Sequence, residues 1–197
     1  MFNKDTYKTI VAIGTSTGGP KALHELLIQI PKDLPATYLI VQHMPAGFTN
    51  SLAKRIDAAA EIKVKEAEEG DILEQGTAYI APGGYHMVVK NKNKPTIGLT
   101  KSPPVKGHRP SMDTLLDSLN ETNINKELLG VIMTGMGSDG LEGLIPLKSR
   151  GAINIIAQNE ETCVVYGMPR AVVEAGIANK ISPLNQIANE IIKYVRG

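Results

Sequence analysis

Two kinds of apolar pattern alternate along the chain. Runs at 9–13, 37–42, 130–133 and 153–157 are apolar at nearly every position, as strands buried on both faces are. Between and after them the apolar residues become one-sided. Leu23, Leu26, Leu27 and Ile30 recur at i, i+3, i+4 and i+7, and the same helical spacing joins Leu52, Ala53 and Ile56. Two further stripes are Met112, Leu115, Leu116 and Leu119, and Leu184, Ile187, Ile191 and Val195. Strand and helix in turn predict an α/β fold with a mostly parallel, doubly wound sheet and helices on both faces.

The punctuation agrees with this pattern. Pro20 suits the first turn of the helix after the first strand, Ser111 can cap the helix that follows it, and Gly151 closes a helix over 141–150. Residues 62–99 depart from the rhythm. Turn signals at Gly70-Asp71, Pro82-Gly83-Gly84 and 91–95 separate short strands too close together for crossover helices, which predicts a β-hairpin region in the middle of the chain. Residues 101–110 form a basic, proline-containing loop. With no repeat, linker or low-complexity tract, the 197 residues are expected to form a single domain over 1–197.

Composition narrows the function classes. Hydrophobic residues make up 42% and charged residues 21%, which suits a packed globular core. Lys and Arg number 21 against 20 Asp and Glu, so the chain lacks the basic field that drives binding to nucleic acid or anionic lipid. A single cysteine, Cys163, excludes an intrachain disulfide and a multi-cysteine metal cluster, and fits a reducing cytoplasm. Residues 1–7 lack the apolar stretch of a secretory signal, and no apolar run approaches the ~18 residues of a membrane span.

The chemistry concentrates at strand ends. Gly14-Thr15-Ser16-Thr17-Gly18 fits G-x-S-x-G after a strand and before a helix, where a sharp turn presents the serine hydroxyl above the sheet edge. A glycine-rich turn of this kind equally suits a bound phosphate or tight packing. A P-loop would require lysine at position 20, which is Pro20, and the dinucleotide fingerprint fails at Ser16. Among four histidines, His43 directly follows the strand at 37–42 and so emerges at the same carboxyl edge as Ser16. His24 lies on a helix without the second histidine of a zinc-protease motif, and no metal is implied. His86 and His108 fall in segments read as loops, where a solvated side chain is the simpler reading. Asp139, in the glycine-rich turn after the strand at 130–133, completes a Ser, His, Asp set from three strand ends. Asp113, inside a helix, is more simply explained by capping or surface solvation.

The order Ser, His, Asp differs from that of the α/β-hydrolases. The resemblance lies elsewhere, in six ordered blocks that span nearly the whole chain. They are 11–19, Val41-Gln42-His43-Met44-Pro45 through Thr49, Ala78-Tyr79-Ile80-Ala81-Pro82-Gly83, His108-Arg109-Pro110-Ser111, 130–140, and Cys163 through Arg170. Together they resemble the catalytic domain of CheB, the chemotaxis protein-glutamate methylesterase family. The resemblance implies that Ser16 is the nucleophile, His43 its base and Asp139 the orienting acid, with backbone N–H groups of Thr17 and Met136 as oxyanion donors. It implies a cofactor-free hydrolysis of glutamyl methyl esters on cytoplasmic chemoreceptor helices, and deamidation of receptor glutamines. The loop containing Lys101, Lys106, His108 and Arg109, a run without acidic residues, is expected to meet the acidic surface of that methylated receptor, with His108 and Arg109 in the substrate groove. Family members typically carry a receiver domain ahead of the esterase domain; only fifteen residues precede Ser16 here, so no receiver domain is expected and any regulator acting in trans is unidentified. The reading from another class is a non-catalytic anion-binding or interaction module on the same fold.

Overall fold

Apolar strands and one-sided helices assemble as their patterns demand. The computed structural model describes residues 7–124 and 126–197; the segment read above for a signal lies, except for Tyr7, outside the described residues. In chain order the elements are β1 (Thr9–Thr15), α1 (Gly19–Leu27), β2 (Ala36–Gln42), α2 (Phe48–Asp57), β3 (Lys63–Glu66), β4 (Thr77–Ile80), β5 (His86–Lys90) and β6 (Thr96–Thr100). There follow α3 (Met112–Thr122), β7 (Glu127–Ile132), α4 (Leu141–Ser149), β8 (Ile153–Gln158), a short 3-10 turn (Glu160–Thr162), α5 (Met168–Glu174), β9 (Lys180–Ser182) and α6 (Leu184–Arg196).

Among the described residues, seven strands pair in parallel in the order β3-β4-β2-β1-β7-β8-β9. The chain winds outward from β1 in one direction and then in the other, so the order reverses between β1 and β7. Alternate side chains of each strand feed two cores. On one face Ile10 and Ala12 of β1 join Leu115 and Leu119 of α3, Leu144 of α4 and Val172 of α5. On the opposite face Val11 and Ile13 join Leu23 of α1, Ile56 of α2 and Ile191 of α6. The four predicted helical stripes are the buried faces of α1, α2, α3 and α6.

The middle of the chain corrects one expectation. Only β5 and β6 form a hairpin, while β3 and β4 are parallel strands of the main sheet. Residues 67–76 make that crossover without a helix because the linker pairs with the ribbon instead. Gly70 N–H donates to Ile97 O at 2.9 Å, Ile97 N–H to Asp71 O at 2.8 Å and Leu73 N–H to Pro95 O at 3.1 Å. The ribbon thereby covers a sheet face that a crossover helix would otherwise cover, and buries Met87, Val89 and Ile97 there. Two further elements escaped the pattern reading: α5 and β9 span only two turns and three residues, too short for a period to show. No helix among the described residues is long and apolar enough to cross a membrane.

Candidate active site

Three strands stop level. Thr15 lies opposite Gln42 and Gly14 opposite Ile132, so the residues after β1, β2 and β7 leave the sheet together at its carboxyl edge, where the strand order reverses. Backbone pairing persists just past the strand ends: Ser16 N–H donates to Thr134 O at 3.0 Å and His43 N–H to Thr15 O at 3.2 Å. The buried Gln42 carboxamide ties the two candidate residues to each other. Its Nε2 donates to Ser16 O at 3.0 Å and to His43 O at 3.1 Å, while its Oε1 accepts the Thr15 hydroxyl at 3.3 Å.

Asp139 reaches this edge from the turn after β7, and its carboxylate is fully engaged. Oδ2 accepts His43 Nε2 at 2.7 Å and the backbone N–H of Met112 at 2.7 Å; Oδ1 accepts the Ser111 hydroxyl at 2.8 Å and the N–H of Asp113 at 3.0 Å. Two of these donors are unpaired N–H groups at the start of α3, the positive end of the helix. Burial by itself would raise the Asp139 carboxyl, but His43, the Asp113 and Met112 N–H groups and the Ser111 hydroxyl together hold it well below the usual carboxylate range. Asp113 moves the opposite way: burial raises it, against the pull of the Gly143 N–H and of Lys106. The two neighbouring carboxyl groups are thus shifted in opposite directions, Asp139 down and Asp113 up.

An ionised Asp139 at 2.7 Å from Nε2 fixes the proton of neutral His43 on Nε2 and leaves Nδ1 as the basic lone pair. Nδ1 is buried and has no hydrogen-bond partner among the described residues. Ser16 lines the same cleft of about 380 Å³ with His43, Met44, Pro45, Gly107, His108 and Arg109, although no hydrogen bond yet joins its hydroxyl to His43. On the other side of Ser16 runs the Gly135-Met136 turn, close enough that a Cβ on Gly135 would fall 2.9 Å from Ser16 Cβ. Thr17 and Met136 are exposed, and their backbone N–H groups donate to no other described residue, as donors awaiting an oxyanion would be.

The structure therefore brings Ser16, His43 and Asp139 to one edge, with Thr17 and Met136 beside the serine and His108 and Arg109 lining the same cleft. Several readings need correction. His86 is a buried strand residue whose Nε2 meets Pro103 O at 3.0 Å, and His108 stacks on His43 rather than standing in solvent. Asp113 is not solvated: its Oδ1 accepts Gly140 N–H and Gly143 N–H, each at 2.9 Å. Lys106 faces inward to Asp113 at 2.9 Å and Glu142 at 3.2 Å, so its charge is matched within the fold. Arg109 Nη1 binds the Lys101 and Ser102 carbonyls at 2.9 and 3.1 Å. Gln42 and Ser111 are site residues whose role no sequence motif marks. The available signal for Gln42 was a polar side chain closing an apolar strand; for Ser111, a helix cap has no local mark that says which loop it serves. No group of residues suited to hold a metal ion occurs among the described residues.

Residues 11–191 match the family model for CheB methylesterase. A protein-glutamate methylesterase/protein-glutamine glutaminase of Halalkalibacterium halodurans is 54% identical over 191 residues, covering 96% of this chain and 54% of that protein. A protein of the same name from Pyrococcus horikoshii is 46% identical over 186 residues, covering 94% of this chain and 50% of that one. The chain spans about half the length of the curated relatives it matches. The crystal structure of the Thermotoga maritima CheB methylesterase catalytic domain superposes with a TM-score of 0.90 at 44% identity, covering 95% of this chain and 98% of that one.

Proposed function

Since the chain belongs to the CheB methylesterase family, we propose that it hydrolyses glutamyl methyl esters on cytoplasmic helices of methylated chemoreceptors, with Ser16 as nucleophile. The observation that carries this reading is the 2.7 Å contact of His43 Nε2 with Asp139, which leaves a buried, unpartnered Nδ1 in the cleft that Ser16 lines.

The reaction follows from that arrangement. Ser16 Oγ attacks the side-chain ester carbonyl while His43 Nδ1 takes the hydroxyl proton, and Asp139 stabilises the imidazolium that forms. The oxyanion is received by the Thr17 and Met136 N–H groups. Collapse returns the proton from His43 to the departing methoxy group, so methanol leaves and Ser16 is acylated. Water, deprotonated by His43, then attacks the acyl carbonyl, and glutamate and the free Ser16 hydroxyl are regenerated. With a glutamine side chain the same sequence expels ammonia, the second activity that the relatives are named for. None of these steps calls on a metal or organic cofactor.

The deciding experiment is methanol release from a methylated receptor fragment by the parent chain and by Ser16→Ala. Release by the parent with a loss on the order of 10⁶-fold in the variant is expected. Equal release from both would remove Ser16 from the mechanism, and release from neither would turn the reading toward a binding module.

A further inference from the structure

The ring of His108 lies flat on the ring of His43, with centroids 3.8 Å apart and planes within 6° of parallel. The strap that carries it is pinned on every side. Val105 and His108 exchange backbone hydrogen bonds at 3.0 and 2.8 Å around a two-residue turn in which Lys106 and Gly107 both have positive φ, 49° and 81°. From that turn Lys106 reaches Asp113 and Glu142 at the starts of α3 and α4. Beyond His108, Arg109 O accepts Gly84 N–H at 3.1 Å, and its guanidinium binds the Lys101 and Ser102 carbonyls. So rigid a mounting for an imidazole placed on the base of the reaction exceeds what a flexible substrate contact requires.

We propose that His108 is a positioning residue for His43: its stacked ring keeps the base from swinging away from Asp139 and Ser16, and gives a π face to the imidazolium formed when His43 takes the serine proton. A cation over an aromatic face is stabilised most where water is excluded, and the His43 side chain is only 5% exposed. The strap is tied through Lys106 to Asp113, whose own N–H holds Asp139, so the face and the edge of the His43 ring are fixed by one connected scaffold. Burial, and then the neighbouring His43, lower His108 from its ordinary histidine value against the opposing field of Asp139, which favours the uncharged ring.

This inference rests on the hydrolase reading above, and its test separates the two. The parent chain, His108→Ala and His108→Phe are compared in methanol release from a methylated receptor fragment and in the rate at which a small aryl fluorophosphonate modifies Ser16. The second reaction needs the activated serine but no receptor. The expected result is that His108→Ala lowers kcat and the phosphonylation rate by the same factor, about 3- to 30-fold, with KM unchanged. His108→Phe, which keeps the flat face and loses the nitrogens, is expected to return both rates to within about threefold of the parent. A raised KM with phosphonylation unchanged in His108→Ala would make His108 a substrate contact and overturn the inference. Equal losses in both variants, at urea midpoints matching the parent, would assign the effect to the imidazole nitrogens and overturn it as well. A parent chain phosphonylated at Ser16 that releases no methanol would refute the receptor-esterase reading alone, since the phosphonylation arm still decides the role of His108. A parent chain not phosphonylated at all would refute both.

Discussion

Asp113 and Asp139 each receive the N-terminus of the helix that belongs to the other. Asp139, just before α4, accepts the Met112 and Asp113 N–H groups at the start of α3; Asp113, in the first turn of α3, accepts the Gly140 and Gly143 N–H groups at the start of α4. Two helix ends and two carboxylates are satisfied at once, and the orienting acid of the proposed triad becomes a structural part of the sheet edge.

Removing one half of that exchange is therefore expected to damage both stability and turnover. Asp113→Ala leaves two buried N–H groups without their acceptor and Lys106 with Glu142 as its remaining carboxylate, at a cost of about 1–3 kcal/mol in urea unfolding. Because the Asp113 carboxylate holds the Gly140 N–H next to Asp139 while the cleft keeps its lining residues, the turn carrying Asp139 loosens and kcat falls with KM little changed, measurable by steady-state methanol release.

Asp139→Asn tests the acid itself. A carboxamide carries no charge to stabilise the His43 imidazolium and can turn its NH2 group toward Nε2, which favours the wrong tautomer, so a drop of about 10⁴-fold in kcat is expected, with folding retained. The stability consequence has a definite sign. The folded-state value of Asp139 lies below that of the unfolded chain, about 3.9, so its stabilisation is complete above that pH and is lost as pH falls through the folded value. The stability difference between parent and Asp139→Asn should accordingly be constant near neutrality and shrink below about pH 4, followed as urea midpoints across an acid series.

Gly135 stands where the proposed oxyanion turn touches Ser16. A Cβ there would press into Met168 Sδ and stand 2.9 Å from Ser16 Cβ and 3.0 Å from Ser16 N. Gly135→Ala must shift Ser16 or the Met136 N–H, and a misplacement of about 1 Å costs about 100-fold in rate. Steady-state kinetics with a thermal melt checks that outcome. Parent-like turnover would mean that the turn relaxes without moving the serine.

Cys163 should be inert near neutrality. Burial pushes its thiol up to about 11, so the nucleophilic thiolate is scarce at pH 7. Alkylation by iodoacetamide, followed by mass spectrometry, is expected to be slow at pH 7 and to rise about tenfold per pH unit through pH 9. Fast alkylation at pH 7 would show that the loop opens in solution.

Much of the architecture is legible locally. The apolar spacing of Leu23, Leu26 and Leu27 or of Ile187 and Ile191 says which side of a helix is buried, because burial is written one turn at a time. The same logic misreads 62–80. Two four-residue strands joined by a short linker have the local signature of a hairpin, and only the pairing of that linker with Ile97 and Pro95 makes them parallel neighbours.

Local sequence suffices for the α/β alternation, for the Gly14-Thr15-Ser16-Thr17-Gly18 turn at a strand end, and for the emergence of His43 and Asp139 at the same edge, since strand direction and a turn residue define each. The tertiary structure alone decided that His43 binds Asp139 through Nε2, that His108 lies on its face, and that Asp113 holds α4 while its own N–H holds Asp139. Each of those is a contact between loops or helix ends far apart in the chain. Periodicity encodes which face of an element is buried, and carries no information about which distant polar atom meets it there.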